Sequence, residues 1–174
     1  MNSRGRKPTG KRHYNPEPRR GDTTMANTFT QIILHTTFHV KVDCHISTSD
    51  LPRLYAYIQG IIKNEGGVML AAGGTTNHIH LLLTQPKTIT LSNYMMKIKA
   101  NSSRWLKELG SQYRAFAWQD GYGAFSVSAS KVRTVAQYIA NQEEHHKKKT
   151  FQQEMEEFQA AYMLDGSAAP AGLE

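Results

Sequence analysis

Between Thr30 and Lys41 apolar and polar residues alternate, with Ile32, Leu34, Phe38 and Val40 on one side and Gln31, His35, Thr37, His39 and Lys41 on the other. A period of two predicts a half-buried strand. The period then lengthens. Leu51, Leu54, Tyr55, Ile58, Ile61 and Ile62 recur at helical spacing, with Asp50 in place to cap the start and Gly66 and Gly67 to end it. Two short apolar runs, Val68 to Ala72 and His78 to Thr84, are separated by Gly73, Gly74 and Asn77, which predicts a hairpin.

A second helix is expected from about Thr90, carrying Leu91, Tyr94, Met95, Ile98, Trp105 and Leu106, and ending at Gly110. Its polar side holds Lys97, Lys99, Arg104 and Lys107. The segment Phe116 to Val127 reads as a strand broken by Gly121 and Gly123, and Ser130 is positioned to cap a third helix from Lys131 to about Lys149. Thr150 and Gln153 are spaced as a capping box for a last helix bearing Phe151, Met155, Phe158 and Tyr162, which frays after Gly166. Strand, helix, strand, strand, helix, strand, then helices is the order of a split βαβ, ferredoxin-like α+β sandwich. In that fold the helices cover one face of an antiparallel sheet and leave the other free.

Composition adds boundaries. Residues 1–24 have three Pro, abundant Arg, Lys and Gly and almost no large apolar side chain, so they are expected to be a disordered basic extension. Residues 25–153 would form the folded body and 154–174 the end of the last helix and a frayed acidic tail. Seven Lys or Arg stand against two acids in 1–24 (+5) and fourteen against seven in 25–153 (+7), while the last 21 residues have five acids and no base. A basic body suits a polyanion, because cations that displace counterions from phosphates supply most non-specific nucleic-acid affinity. The single Cys44 fits a reducing compartment, and no apolar run approaches the roughly 20 residues of a membrane span, so a cytoplasmic location is expected.

His78 and His80 stand two apart in an apolar run, so a strand would present both imidazoles on one face while Ile79, Leu81 and Leu83 point to the core. A pair of this kind serves equally as two metal ligands or as two structural histidines; His35 and His39, also on one strand face, are in the same position. Further along, Tyr138 and Gln142 are four apart in the third helix, which puts a hydroxyl and an amide oxygen on one helical face. A phenol with pKa about 10 is a weak nucleophile near neutral pH, so attack on a phosphodiester needs help such as a metal ion that neutralises developing charge. An amphipathic core tyrosine is the plain alternative.

Asn77-His78-Ile79-His80-Leu81-Leu82-Leu83, Phe116-Ala117-Trp118-Gln119-Asp120-Gly121-Tyr122-Gly123, and Tyr138-Ile139-Ala140-Asn141-Gln142 followed by His145-His146 together resemble the HUH single-tyrosine transposases of the insertion-sequence 200/605 type, including the repeat-associated tyrosine transposases. The resemblance covers about Met25 to Gln153. It implies a ferredoxin-like catalytic domain in which His78, His80 and Gln142 bind a divalent ion, Mg²⁺ or Mn²⁺ by ligand type. Tyr138 would attack the scissile phosphate of single-stranded DNA to give a 5′-phosphotyrosine link and a free 3′-hydroxyl. Hairpins at element ends and a homodimer whose tyrosine helix serves the partner's site are also implied. Around this centre Lys97, Lys99, Arg104, Lys131 and Arg133 are candidates to follow a phosphate backbone, and Trp118 and Tyr122 to stack on unpaired bases.

Rivals fit less well. A histidine-triad hydrolase requires another histidine where Leu82 stands, and two-histidine phosphoesterases require Ser or Thr there. A ferredoxin-like module that only binds single strands has no need of Tyr138 and Gln142 beside two histidines. A host-domesticated nuclease that processes repeated palindromes would carry the same motifs as the transposase.

Overall fold

In the computed structural model, which describes residues 29–145, 153, 155–157 and 160, the alternating segment forms β1, Ile33–His39. It is followed by α1 (Leu51–Asn64), β2 (Met69–Gly74), β3 (His78–Thr84), α2 (Leu91–Leu109), β4 (Gly123–Ser126), α3 (Val132–Ala140) and α4 (Gln142–His145). The strands lie in the order β2-β3-β1-β4, each antiparallel to its neighbours. Both βαβ units are therefore split by an intervening strand, the arrangement of the ferredoxin-like sandwich.

One face of the sheet makes the main core. Leu34 and Phe38 of β1 and Ile79, Leu81 and Leu83 of β3 meet Leu54, Ile58 and Ile62 of α1 and Tyr94, Met95, Ile98 and Leu106 of α2. Each such aliphatic side chain contributes about 1.5–3 kcal/mol by leaving water, which is what holds the two helices on the sheet. Thr90 caps α2, its hydroxyl accepting from the Asn93 amide at 3.4 Å. Gly66, at φ 84°, ends the turn after α1 in the left-handed region that glycine tolerates.

The second face is not free. Ile33, Leu82 and Val127 form a smaller core with Ile139, and Val132, Val135 and Ala136 of α3 pack against it. Residues 132, 135, 136 and 139 are spaced as one apolar helical stripe, so α3 lies on the sheet as α1 and α2 do, but on the opposite side. β1 is consequently buried on both faces.

Other differences have local causes. Asp50 occupies the N-cap position of α1 without capping it; its carboxylate instead accepts from the Tyr113 hydroxyl at 2.8 Å and pairs with Arg53 at 3.3 Å. Ser130 does not cap α3, because the 3-10 turn Ala129–Lys131 intervenes. The expected strand from Phe116 is shortened to β4, preceded by one isolated bridge between Val40 and Trp118. The third helix is interrupted at Asn141, whose amide donates to the carbonyls of Gln137 and Tyr138 as α3 ends. Of the expected last helix only Met155 is a described core residue, and it is buried; Phe151, Phe158, Tyr162 and the extension 1–24 lie outside the described residues. Among the described residues no helix is long and apolar enough to cross a membrane.

Candidate active site

The histidines face α3. In the β1–β3 register His39 lies opposite His78 and Thr37 opposite His80, which sets His35 diagonally beside His80. All four imidazoles therefore belong to the sheet face away from the main core. His35, His78 and His80 are buried, each 2% exposed or less. The His78 and His80 rings are nearly perpendicular, with centroids 5.1 Å apart. Each is backed by a histidine of β1: His39 stacks on His78 at 5.4 Å and His35 on His80 at 5.1 Å.

Hydrogen bonds orient the pair. His78 Nδ1 lies 2.7 Å from Asn77 Oδ1 and 3.0 Å from Thr75 Oγ1. An amide oxygen only accepts, so Nδ1 carries the proton and Nε2 the lone pair. His80 Nδ1 lies 2.9 Å from His35 Nε2. Burial, with His80 beside it, lowers the His35 pKa to about 3, so the imidazole is neutral at ordinary pH.

Gly73 and Gly74, expected in a turn, are instead the last residues of β2, and Gly73 explains how the tyrosine helix reaches this face. A Cβ at Gly73 would collide with the Ile139 carbonyl oxygen and stand 2.9 Å from its carbon. Only a glycine lets the α3 backbone come this close. Gly73→Ala is accordingly expected to cost about 1–3 kcal/mol, as overpacking does, and to lower strand cleavage more than this loss of stability accounts for, because α3 shifts. Thermal melts beside a cleavage assay test this, and a variant with wild-type melting temperature and activity would contradict it.

So held, Tyr138 is half-buried with its ring 6.2 Å from that of His80 and 6.1 Å from that of His35, edge to face with both. Gln142 is buried at the start of α4, which packs against β2. The chain thus brings His78, His80 and Tyr138 into one cluster by itself, with Gln142 on the next turn beyond the Asn141 break.

The donor set fits one divalent ion. Two imidazoles on one ion, with metal–nitrogen bonds of roughly 2.1 Å, have ring centroids about 5 Å apart. The His78–His80 spacing and perpendicular rings match this, whereas the other two close pairs are stacked. Among the described residues no group of three or more His, Cys, Asp or Glu is arranged around a metal position. A third protein ligand would have to be of another type, as the Gln142 amide is.

The expected DNA-contact residues scatter. Trp118 is a core residue and cannot stack on a base: its indole donates to Ser102 Oγ at 3.0 Å and packs edge-on against Phe38 and Phe116. Lys97 pairs with Glu65 at 2.8 Å. Lys99 donates to the carbonyls of Gln119, at 2.6 Å, and Gly121, tying down the loop before β4. Arg104, Lys131 and Arg133 are exposed. Tyr122 is exposed at the rim of an open cleft of about 420 Å³ that Met96, Lys99 and Asp120 also line. His35 and His39 are site residues that the sequence did not assign; their signal was placement on the β1 face toward α3.

The profile of the family described as "Transposase IS200 like" matches residues 28–142. The chain belongs to this family. Two solved structures have the same fold. One, a Deinococcus radiodurans R1 protein assigned as a transposase, is 18% identical with a TM-score of 0.52, covering 67% of this chain and 94% of that one. The other, a REP-associated tyrosine transposase bound to a REP hairpin, is 14% identical with a TM-score of 0.53, covering 84% and 94%. Among curated proteins none is similar enough to count as a match. The transposase family match ends at Gln142, two residues beyond α3.

Proposed function

We propose that this transposase cleaves and rejoins single-stranded DNA through a covalent bond to Tyr138. The observation that carries the reading is the Tyr138 ring 6.2 Å from His80, on the face that His78 shares. As the Tyr138 oxygen bonds to phosphorus, the phenol loses its proton and the bond to the 3′-oxygen breaks. The 3′-oxygen leaves as a hydroxyl, and the 5′-phosphate stays on Tyr138. Attack by a 3′-hydroxyl on this phosphotyrosine reverses the step and joins strands.

His78, His80 and Gln142 would hold the ion, and Asn77 and Thr75 fix the His78 ring through Nδ1, so that Nε2 would be its ligating nitrogen. An ion such as Mg²⁺ or Mn²⁺, if held by these residues, would supply Lewis acidity toward the charge that develops during cleavage. Packing of α3 against Ile33 and Leu82 holds Tyr138 beside His80 and His35.

Similarity to a protein bound to a REP hairpin supports single strands bearing a hairpin as substrate, whether at the ends of an element or in repeated palindromes. Labelled single-stranded DNA with a hairpin is expected to yield a protein–DNA adduct in Mg²⁺, and a blunt duplex of the same sequence none, because stacking on an exposed aromatic such as Tyr122 needs base faces that a duplex hides. Equal cleavage of both would refute the selectivity.

A homodimer with the tyrosine helix serving the partner is implied by the family resemblance. Within one chain, however, Tyr138 already lies against its own His80, which favours assembly in cis. Mixing Tyr138→Phe with His80→Ala subunits should then leave the mixture inactive, since each protomer keeps one lesion. Recovery of activity after confirmed subunit exchange would establish a site shared in trans.

A further inference from the structure

We propose that His35 is a positioning residue for His80, accepting the His80 Nδ1 proton and so supporting the tautomer in which Nε2 can bind the metal ion. The inference rests on the reading of His78 and His80 as ligands, and goes beyond it by giving work to a β1 histidine that the cleavage step does not use.

The contact is His35 Nε2 to His80 Nδ1, 2.9 Å, between two buried rings stacked at 26°. A hydrogen bond between two imidazole nitrogens needs one proton, on one side only. If His35 Nε2 donated it, His80 Nδ1 would hold the lone pair and the His80 proton would sit on Nε2, which could not then ligate. If His80 Nδ1 donates, its Nε2 lone pair faces the site and His35 keeps its own proton on Nδ1. Both arrangements satisfy the 2.9 Å contact, so the choice belongs to the metal: binding selects the second, and His35 is the acceptor that makes it possible.

The two ligands are backed by different chemistry. His78 donates to Asn77 Oδ1, an oxygen that can only accept, so its tautomer is set before any ion arrives. His80 donates to a ring that can take either role. Its orientation comes from β1, since His35 is held by pairing with both β3 and β4. Outer partners of metal-bound histidines typically contribute 10–100-fold to metal affinity or activity.

The test measures Mn²⁺ binding to the full chain by the electron-spin signal of the unbound ion, with thermal melts alongside. His35→Phe keeps the ring volume but offers no acceptor; His35→Gln offers an amide oxygen near the position of Nε2. Expected is a Mn²⁺ dissociation constant raised roughly 10–100-fold in His35→Phe and largely restored in His35→Gln. Long-range ¹H–¹⁵N spectra with Mg²⁺ should place the proton on Nδ1 in both His35 and His80. Wild-type affinity in folded His35→Phe, or equal weakening in both variants, overturns the positioning role. His80→Ala separates the two readings. If wild-type protein shows no Mn²⁺ binding that His80→Ala removes, the metal reading fails and this inference with it; if it does, and His35→Phe binds as wild type does, only the inference fails.

Discussion

Tyr138→Phe is expected to reduce strand cleavage on the order of 10⁴-fold or more while leaving the fold and DNA binding intact. The substitution removes one oxygen and keeps the half-buried ring that stands edge-on to His35 and His80. No other hydroxyl of α3 can replace it: Thr134, the remaining one, is a full turn back and exposed. Denaturing gels of labelled single strands give the answer. A phenylalanine variant that still forms the covalent adduct would end the assignment of Tyr138 as nucleophile.

His78→Ala and His80→Ala should each remove divalent-ion-dependent cleavage, with losses on the order of 10³-fold. Both also bear on stability, because these rings are buried rather than facing an open sheet. Deleting His80 leaves a cavity and takes away the partner of His35, which together cost about 2–4 kcal/mol. Activity therefore has to be compared at a temperature where melting curves show each variant folded. Undiminished cleavage by wild-type protein in excess chelator would contradict the role assigned to the pair.

The parts of the molecule governed by local period were legible in the sequence. α1, α2 and β3 follow from their apolar spacing, and the face shared by His78 and His80 follows from the strand alone. What was not legible depends on neighbours. Leu82 on the face of His80, and Ile33 on that of His35, signalled that this face is covered, but the α3 stripe that covers it is only four residues and can be recognised only once the sheet exists. Gly73 looked like a turn because glycine usually marks one; it stands in a strand because a helix backbone passes over it. Trp118 was a candidate to stack on unpaired bases, whereas its indole satisfies Ser102 in the core. His35 and His39 gained partners only when β1 was placed beside β3, a consequence of topology that a single strand does not display.

That placement makes the site a gauge of strand alignment. β1 spaces its histidines by four and β3 by two, so few alignments can match them. Sliding β1 by one residue would turn Leu34 and Phe38 toward α3 and bury the histidines against α1 and α2. Sliding it by two would keep the faces yet change the partners, bringing either His35 or His39 directly opposite His80 in place of Thr37. The observed alignment, with Ile33 across from Thr84 and His39 across from His78, sets His39 directly opposite one proposed ligand and His35 diagonally beside the other. Signals from the four imidazoles would therefore report whether the central strand had paired in its native position, before any DNA is added.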